Sequence, residues 1–94
     1  MKKIKLERFY KDSELLKALA HPIRLAIVKG LSVSENECNV NKIAESLKIP
    51  QSTVSQHLAL LRNKGIISPR KEGVNVCYKV INLKTLELLR LLQL

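Results

Sequence analysis

Between Pro50 and Gly65 the chain carries hydrogen-bonding side chains that bear no charge: Gln51, Ser52, Thr53, Ser55, Gln56 and Asn63. In a helix, at about 100° per residue, Ser52, Gln56, Ala59 and Asn63 share one side, with Thr53 and Ser55 on its flanks. Val54, Leu58 and Leu61, at i, i+4 and i+7, then face the opposite way, into a core. A short, polar, uncharged face is suited to directional hydrogen bonds with the edges of bases. Glutamine can pair with adenine through two bonds, and serine or threonine can bond a base or a phosphate. The bland alternative is a merely solvated helix surface, and the residues C-terminal to this helix weigh against it.

Ile66 to Lys71 reads as a strand, Glu72-Gly73 as a turn, and Val74 to Val80 as a return strand that alternates apolar with polar residues. Arg70, Lys71 and Lys79 make this hairpin basic. Ahead of the polar helix, Val40, Ile43, Ala44 and Leu47 form the buried stripe of a shorter one, with Asn39 as its N-cap and Lys48-Ile49-Pro50 as the turn between the two. Helix, tight turn, helix and basic hairpin are the layout of a winged helix-turn-helix, which places its second helix in the major groove of DNA.

The remaining elements support that device. Leu6, Phe9, Leu16, Leu19 and Ala20 recur at helical spacing over roughly residues 5–20, with Asp12 or Ser13 able to cap a later start. Pro22 ends this helix and opens the next, which carries Ile23, Ala26, Ile27 and Leu31 on one face and gives way to a polar loop over Ser32–Glu37. Residues 83–94 hold leucine at 83, 86, 88, 89, 91, 92 and 94, nearly all round a helix. A small domain cannot hide all of these against its own core, so a helix shared between two subunits is expected. The fold class is mainly α with a small β-hairpin, in the order of four helices, two strands and a fifth helix, forming a single domain over residues 1–94.

Bulk composition agrees. Ninety-four residues bound the chain to one domain, and a net charge of +9 with a pI near 9.9 points to a polyanionic partner. Aromatic residues are scarce, so the core must be aliphatic, and so small an aliphatic core gains from a second subunit. The basic start, from Lys2 to Arg8, resembles the opening of a signal peptide, but no apolar stretch succeeds it. No run of about 18 apolar residues exists to span a membrane. Two cysteines are too few for a disulfide framework and fit a reducing cytoplasm.

The segments Leu16-Lys17-Ala18-Leu19-Ala20-His21-Pro22-Ile23-Arg24-Leu25-Ala26-Ile27, Ile49-Pro50-Gln51-Ser52-Thr53-Val54-Ser55-Gln56-His57-Leu58-Ala59-Leu60-Leu61-Arg62 and Tyr78-Lys79-Val80 resemble the ArsR/SmtB repressors, in order, over about residues 12–92. The resemblance implies a homodimer built from the first and last helices (about 5–20 and 83–94), an inverted-repeat operator, and repression relieved by an inducer. It places DNA contacts on Gln51, Ser52, Thr53, Ser55 and Gln56 and on the wing from Arg70 through Lys71 to Asn75, with Arg62 added at the end of the reading helix. It places dimer contacts on Leu6, Phe9, Leu16, Leu86, Leu89 and Leu92. His57, which the family also carries, falls toward the buried side and reads as a packed, hydrogen-bonded histidine.

The family's metal sites do not carry over. Where metal-sensing members hold a Cys-Val-Cys at the start of the third helix, this chain has Asn39 and Asn41, with Cys38 out of register by one. A second site type needs histidine and carboxylates on the last helix, which here offers only Glu87. No metal and no cofactor are therefore expected, and the chain resembles the branch that lacks the metal sites. Cys38 and Cys77 read first as two small semi-buried residues. A thiol-redox-responsive repressor using Cys38 and Cys77 is the competing reading. A protein-docking module is another, but it would show apolar anchors along the outward face of 51–63. No enzyme is expected: Ser55 and His57 face different directions, no acid orients them, and there is no glycine-rich phosphate loop.

Overall fold

The computed structural model describes residues 2–34 and 36–94; Met1 and Glu35, the latter within the expected polar loop, lie outside the described residues. The elements run in the order α1 (Glu7–Leu19), α2 (Pro22–Val33), α3 (Val40–Leu47), α4 (Gln51–Asn63), β1 (Ile67–Glu72), β2 (Asn75–Val80) and α5 (Leu83–Leu92). This is the expected fold class, with the expected order.

The core is aliphatic and centres on α4. Val54, Leu58 and Leu61 are at most 1% exposed and meet Ile27 and Val28 of α2, Ile43 and Ala44 of α3, and Ile66 and Ile67 at the entry to the hairpin. Val80 closes it from β2, and Leu89 from α5. Pro22 stands at the first position of α2, where its missing N–H is not needed, and the His21 ring accepts the Ile23 N–H as the cap. Asn39 caps α3 as expected, its side-chain oxygen accepting from the Lys42 N–H at 2.9 Å. Lys48 ends α3 in the left-handed region (φ 57°), and the Ile49 N–H returns to the Ala44 carbonyl, so the turn into α4 is closed within three residues.

Several details differ from the sequence reading. The helix α2 runs on through Ser32 and Val33, shortening the polar loop. Asp12 and Ser13 lie inside α1, where the Ser13 hydroxyl donates back to the Tyr10 carbonyl instead of capping. The strands pair antiparallel from Ile67 with Val80 to Glu72 with Asn75, so the connection is Gly73-Val74, one residue later than expected. Gly73 (φ 61°) supplies the positive φ at its first position. Val76 is exposed rather than inward-facing, because the hairpin projects beyond the core at that level.

The largest correction concerns α5. Leu89 is only 5% exposed within its own subunit, so it belongs to the core and not to an open face. Leu83, Leu86, Leu91, Leu92 and Leu94 remain exposed, as do Leu6, Phe9, Tyr10 and Leu16 on α1. Lys84 at the start of α5 pairs with Asp12 of α1 at 2.8 Å, an exposed ion pair that links the two helices at one point.

Among the described residues one polar side chain, that of Thr85, is fully buried. Its hydroxyl and its backbone N–H both donate to the Asn82 side-chain oxygen, at 2.9 and 2.7 Å, which caps α5. Asn82→Ala removes the cap and strands a buried hydroxyl; it is expected to cost about 1–3 kcal/mol in chemical denaturation. Loss of less than about half a kcal/mol would mean the cap does not hold α5.

Candidate nucleic-acid interface

The uncharged side chains of α4 emerge as a group. Gln51, Ser52, Ser55, Gln56, Ala59, Arg62 and Asn63 are exposed, while Thr53 is half-buried on the flank. The N-terminal end of α4 comes after Pro50, which offers no side-chain cap, so the first backbone N–H groups are left for an external acceptor. No large apolar side chain interrupts the exposed face of α4, which argues against a protein-docking surface there.

The hairpin stands beyond the C-terminal end of α4, joined through buried Ile66 and Ile67. Arg70, Lys71, Glu72, Gly73, Val74 and Asn75 are all exposed, so its tip is open to solvent. Arg70 is not a bare cation: its guanidinium donates to the Glu72 carboxylate at 2.6 Å. Such an exposed pair contributes at most about 1 kcal/mol to stability. Its greater consequence is local, since it offsets the positive charge of Arg70 and leaves Lys71 as the stronger attraction for a phosphate.

A cluster that the sequence reading reached only at His57 holds α4 to the helices behind it. The Arg24 guanidinium donates through Nε to the Ala18 carbonyl at 2.6 Å and through a terminal nitrogen to the Lys17 carbonyl at 3.4 Å. Its other terminal nitrogen lies 3.3 Å from Nδ1 of His57. Arginine can only donate, so Nδ1 of His57 must accept, which requires the neutral ring. The His21 ring lies 4.5 Å from that of His57. His57 is thus packed and hydrogen-bonded, as its place on the helix suggested. Arg24 lies within the run that resembles the family, but its local sequence gave no sign of this bonding role.

Cys38 and Cys77, expected as two separate small residues, are bonded to each other, with Cα atoms 4.8 Å apart. The Tyr78 N–H also donates to the Cys38 carbonyl at 2.9 Å. The wing is therefore stitched to the residue just before the α3 cap. Among the described residues no group of three or more His, Cys, Asp and Glu side chains is placed to hold a metal ion. No described helix is long and apolar enough to cross a membrane.

Taken together, α3, its tight turn, α4 and the hairpin define a winged helix-turn-helix. Residues 21–68 match the family described as bacterial regulatory protein, arsR family, and the chain belongs to it. It is 43% identical over 81 residues to the transcriptional repressor PagR of Bacillus anthracis, spanning 86% of this chain and 80% of that one. The crystal structure of PagR superposes with a TM-score of 0.79 at 39% identity, covering 94% of this chain and 99% of PagR. Reduced HlyU from Vibrio cholerae gives a TM-score of 0.83 at 36% identity, over 92% and 88% of the two chains. The homodimeric winged helix-turn-helix DNA-binding domain of Mb0332 from Mycobacterium bovis gives 0.81 at 26% identity, over 98% and 85%. The chain is thus a transcriptional regulator, of a class that is not enzymatic.

The neutral state of His57 has a consequence for stability. Burial lowers its pKa from the ordinary 6.5, and the charges of His21 and Arg24 lower it further. The unfolded chain then binds a proton that the folded chain refuses. Stability should be fully present above about pH 6.5 and decline as pH falls through the lower folded value. Unfolding free energies measured across this range should show the decline, and His57→Gln should flatten it. An unchanged profile in the variant would assign the decline to other groups.

Proposed function

We propose that this chain is a homodimeric repressor that binds an inverted-repeat operator, with α4 in the major groove and the hairpin against the backbone beside it. The observation that carries this reading is the exposed, uncharged, hydrogen-bonding face of α4 standing next to a basic hairpin on a chain of net charge +9. Gln56 and Ser52 are placed to read base edges, with Gln51, Thr53 and Ser55 contacting bases or phosphates. Arg62, Arg70, Lys71 and Asn75 position the protein on the duplex. Repression is the activity named for PagR, and a homodimer is the state named for Mb0332. Its relatives come from bacteria and an archaeon, whose DNA lies in the cytoplasm, so on this reading the protein works there.

The dimer has its own support. The Cα radius of gyration is 14.5 Å, against about 12 Å for a compact chain of this length, and the N-terminal half of α1, from Glu7 to Asp12, is exposed throughout. Phe9 and Tyr10 on this helix and Leu6 just before it are exposed, as are Leu83, Leu86, Leu91 and Leu92 on α5. A surface of this kind is suited to a second copy, which would also supply the second reading helix for a two-fold site. The contacts fall on Leu6, Phe9, Leu16, Leu86 and Leu92. Leu89 supports them only from beneath.

Gln56→Ala should cost about 1–3 kcal/mol on the selected site while leaving non-specific affinity nearly unchanged. Lys71→Ala should weaken binding to all DNA alike and reduce the salt slope by about one. Competition binding against random duplex separates the two, and an unchanged specificity ratio for Gln56→Ala would remove α4 from the role of reader. Light scattering at micromolar concentration should give about twice 10.7 kDa, and Leu92→Glu with Phe9→Glu should give monomers. A wild-type monomer under those conditions contradicts the shared-helix interface.

A further inference from the structure

The two cysteines meet at a place where a covalent bond could bear on DNA binding, since one lies on the wing and the other at the entry to the helix-turn-helix. A protein that works beside the chromosome meets the reductants of the cell interior, where a disulfide is more often transient than structural. The two sulfurs are also unequally accessible. Cys38 is 8% exposed, whereas Cys77 is half-buried. Both line a cavity of about 520 Å³ that opens between the end of α2, the underside of the hairpin and the start of α5. Ser32, Ser34 and Lys79 line it as well, giving it hydroxyls and a positive charge, as does Arg70, whose charge Glu72 offsets.

We propose that Cys38 and Cys77 form a thiol–disulfide exchange site, open to small anionic thiols and disulfides through this cavity, that locks and releases the wing. The proposal rests on the reading of the hairpin as a DNA-contacting wing. In the reducing direction a small thiolate attacks Sγ of Cys77, the more accessible sulfur. The Cys38–Cys77 bond breaks, and its electron pair leaves on Sγ of Cys38. That negative charge develops just before the N-terminus of α3, whose partial positive charge favours it. A second thiolate then attacks the small molecule's own sulfur in the mixed disulfide and releases Cys77 as a thiolate. The balance is two small thiols oxidised to one disulfide and the protein bond reduced to two thiols. The reverse sequence, starting from the small disulfide, closes the bond.

In the closed form β2 is held to the segment that begins α3, and through α3 to the turn that orients α4. In the open form the hydrogen bond from Tyr78 N–H to the Cys38 carbonyl is left to hold that place. Closure removes part of the cost of ordering the wing on DNA, so the closed form binds more tightly.

The test uses the full chain with reduced or oxidised glutathione as the small thiol or disulfide. Alkylation and then mass measurement, without denaturant, should count two thiols after reduced glutathione and none after the oxidised form. Cys38→Ser should form a mixed disulfide with oxidised glutathione at Cys77, and Cys77→Ser should react at Cys38 far more slowly. A selected DNA duplex should be bound about five-fold or more tightly by the oxidised wild type than by the reduced one. Both serine variants should lose that difference. A thiol count that does not respond to glutathione would overturn the exchange site, and equal modification of the two variants would overturn the order of attack. An affinity ratio below about two-fold would overturn the wing lock. Because thiols are counted without DNA, exchange accompanied by no specific DNA binding in either state would instead fault the reading of the hairpin as a wing.

Discussion

The structure depends on one helix being buried along one side and wettable along the other. Val54, Leu58 and Leu61 hold α4 in the centre of an aliphatic core and fix its rotation about its own axis. Turned by one residue, the helix would drive about 100° of polar surface inward and leave serine and glutamine without partners. The same three residues therefore determine which side chains face outward. The positions of Ser52, Ser55 and Gln56 are set by the core, and the site needs no separate scaffold. Arg24 strengthens the constraint by fastening His57, on the same helix, to the carbonyls that end α1.

The aliphatic core also explains the exposed surface. With so few aromatic residues, each core position buries a modest area, and α1 and α5 are left with leucines and a phenylalanine in the open. Pairing two chains through these helices would cover that area and set two reading helices on one two-fold axis. Stability and site recognition would then draw on the same contacts. The high positive charge would work on a longer range, drawing the protein to any duplex before the face proposed to read DNA distinguishes among sequences.

Much of this could be read in the sequence because it is local. The Asn39 cap, the proline that opens α2, and the i, i+4, i+7 stripe of α4 each depend on residues within one or two turns. What escaped was set by tertiary contact. Leucines lie nearly all round α5, so nothing in the pattern distinguishes Leu89, which turns into the core, from Leu92, which does not. Gly73 marked the hairpin turn, but the register, and with it the exposure of Val76, depends on where Ile67 anchors opposite Val80. Cys38 and Cys77 are 39 positions apart and meet only because the wing folds back over the end of α2. The outward face of α4 was predictable; the links that hold its neighbours to it were not.

The most direct measurement is an NMR titration of the amide-labelled protein with a selected duplex. The largest shift changes should fall on Gln51 to Gln56 of α4 and on Lys71 to Asn75 of the hairpin, with α1 and α5 little affected. Changes concentrated on α1 and α5, or spread evenly with no focus on α4, would contradict the assignment of that helix as the element that reads DNA.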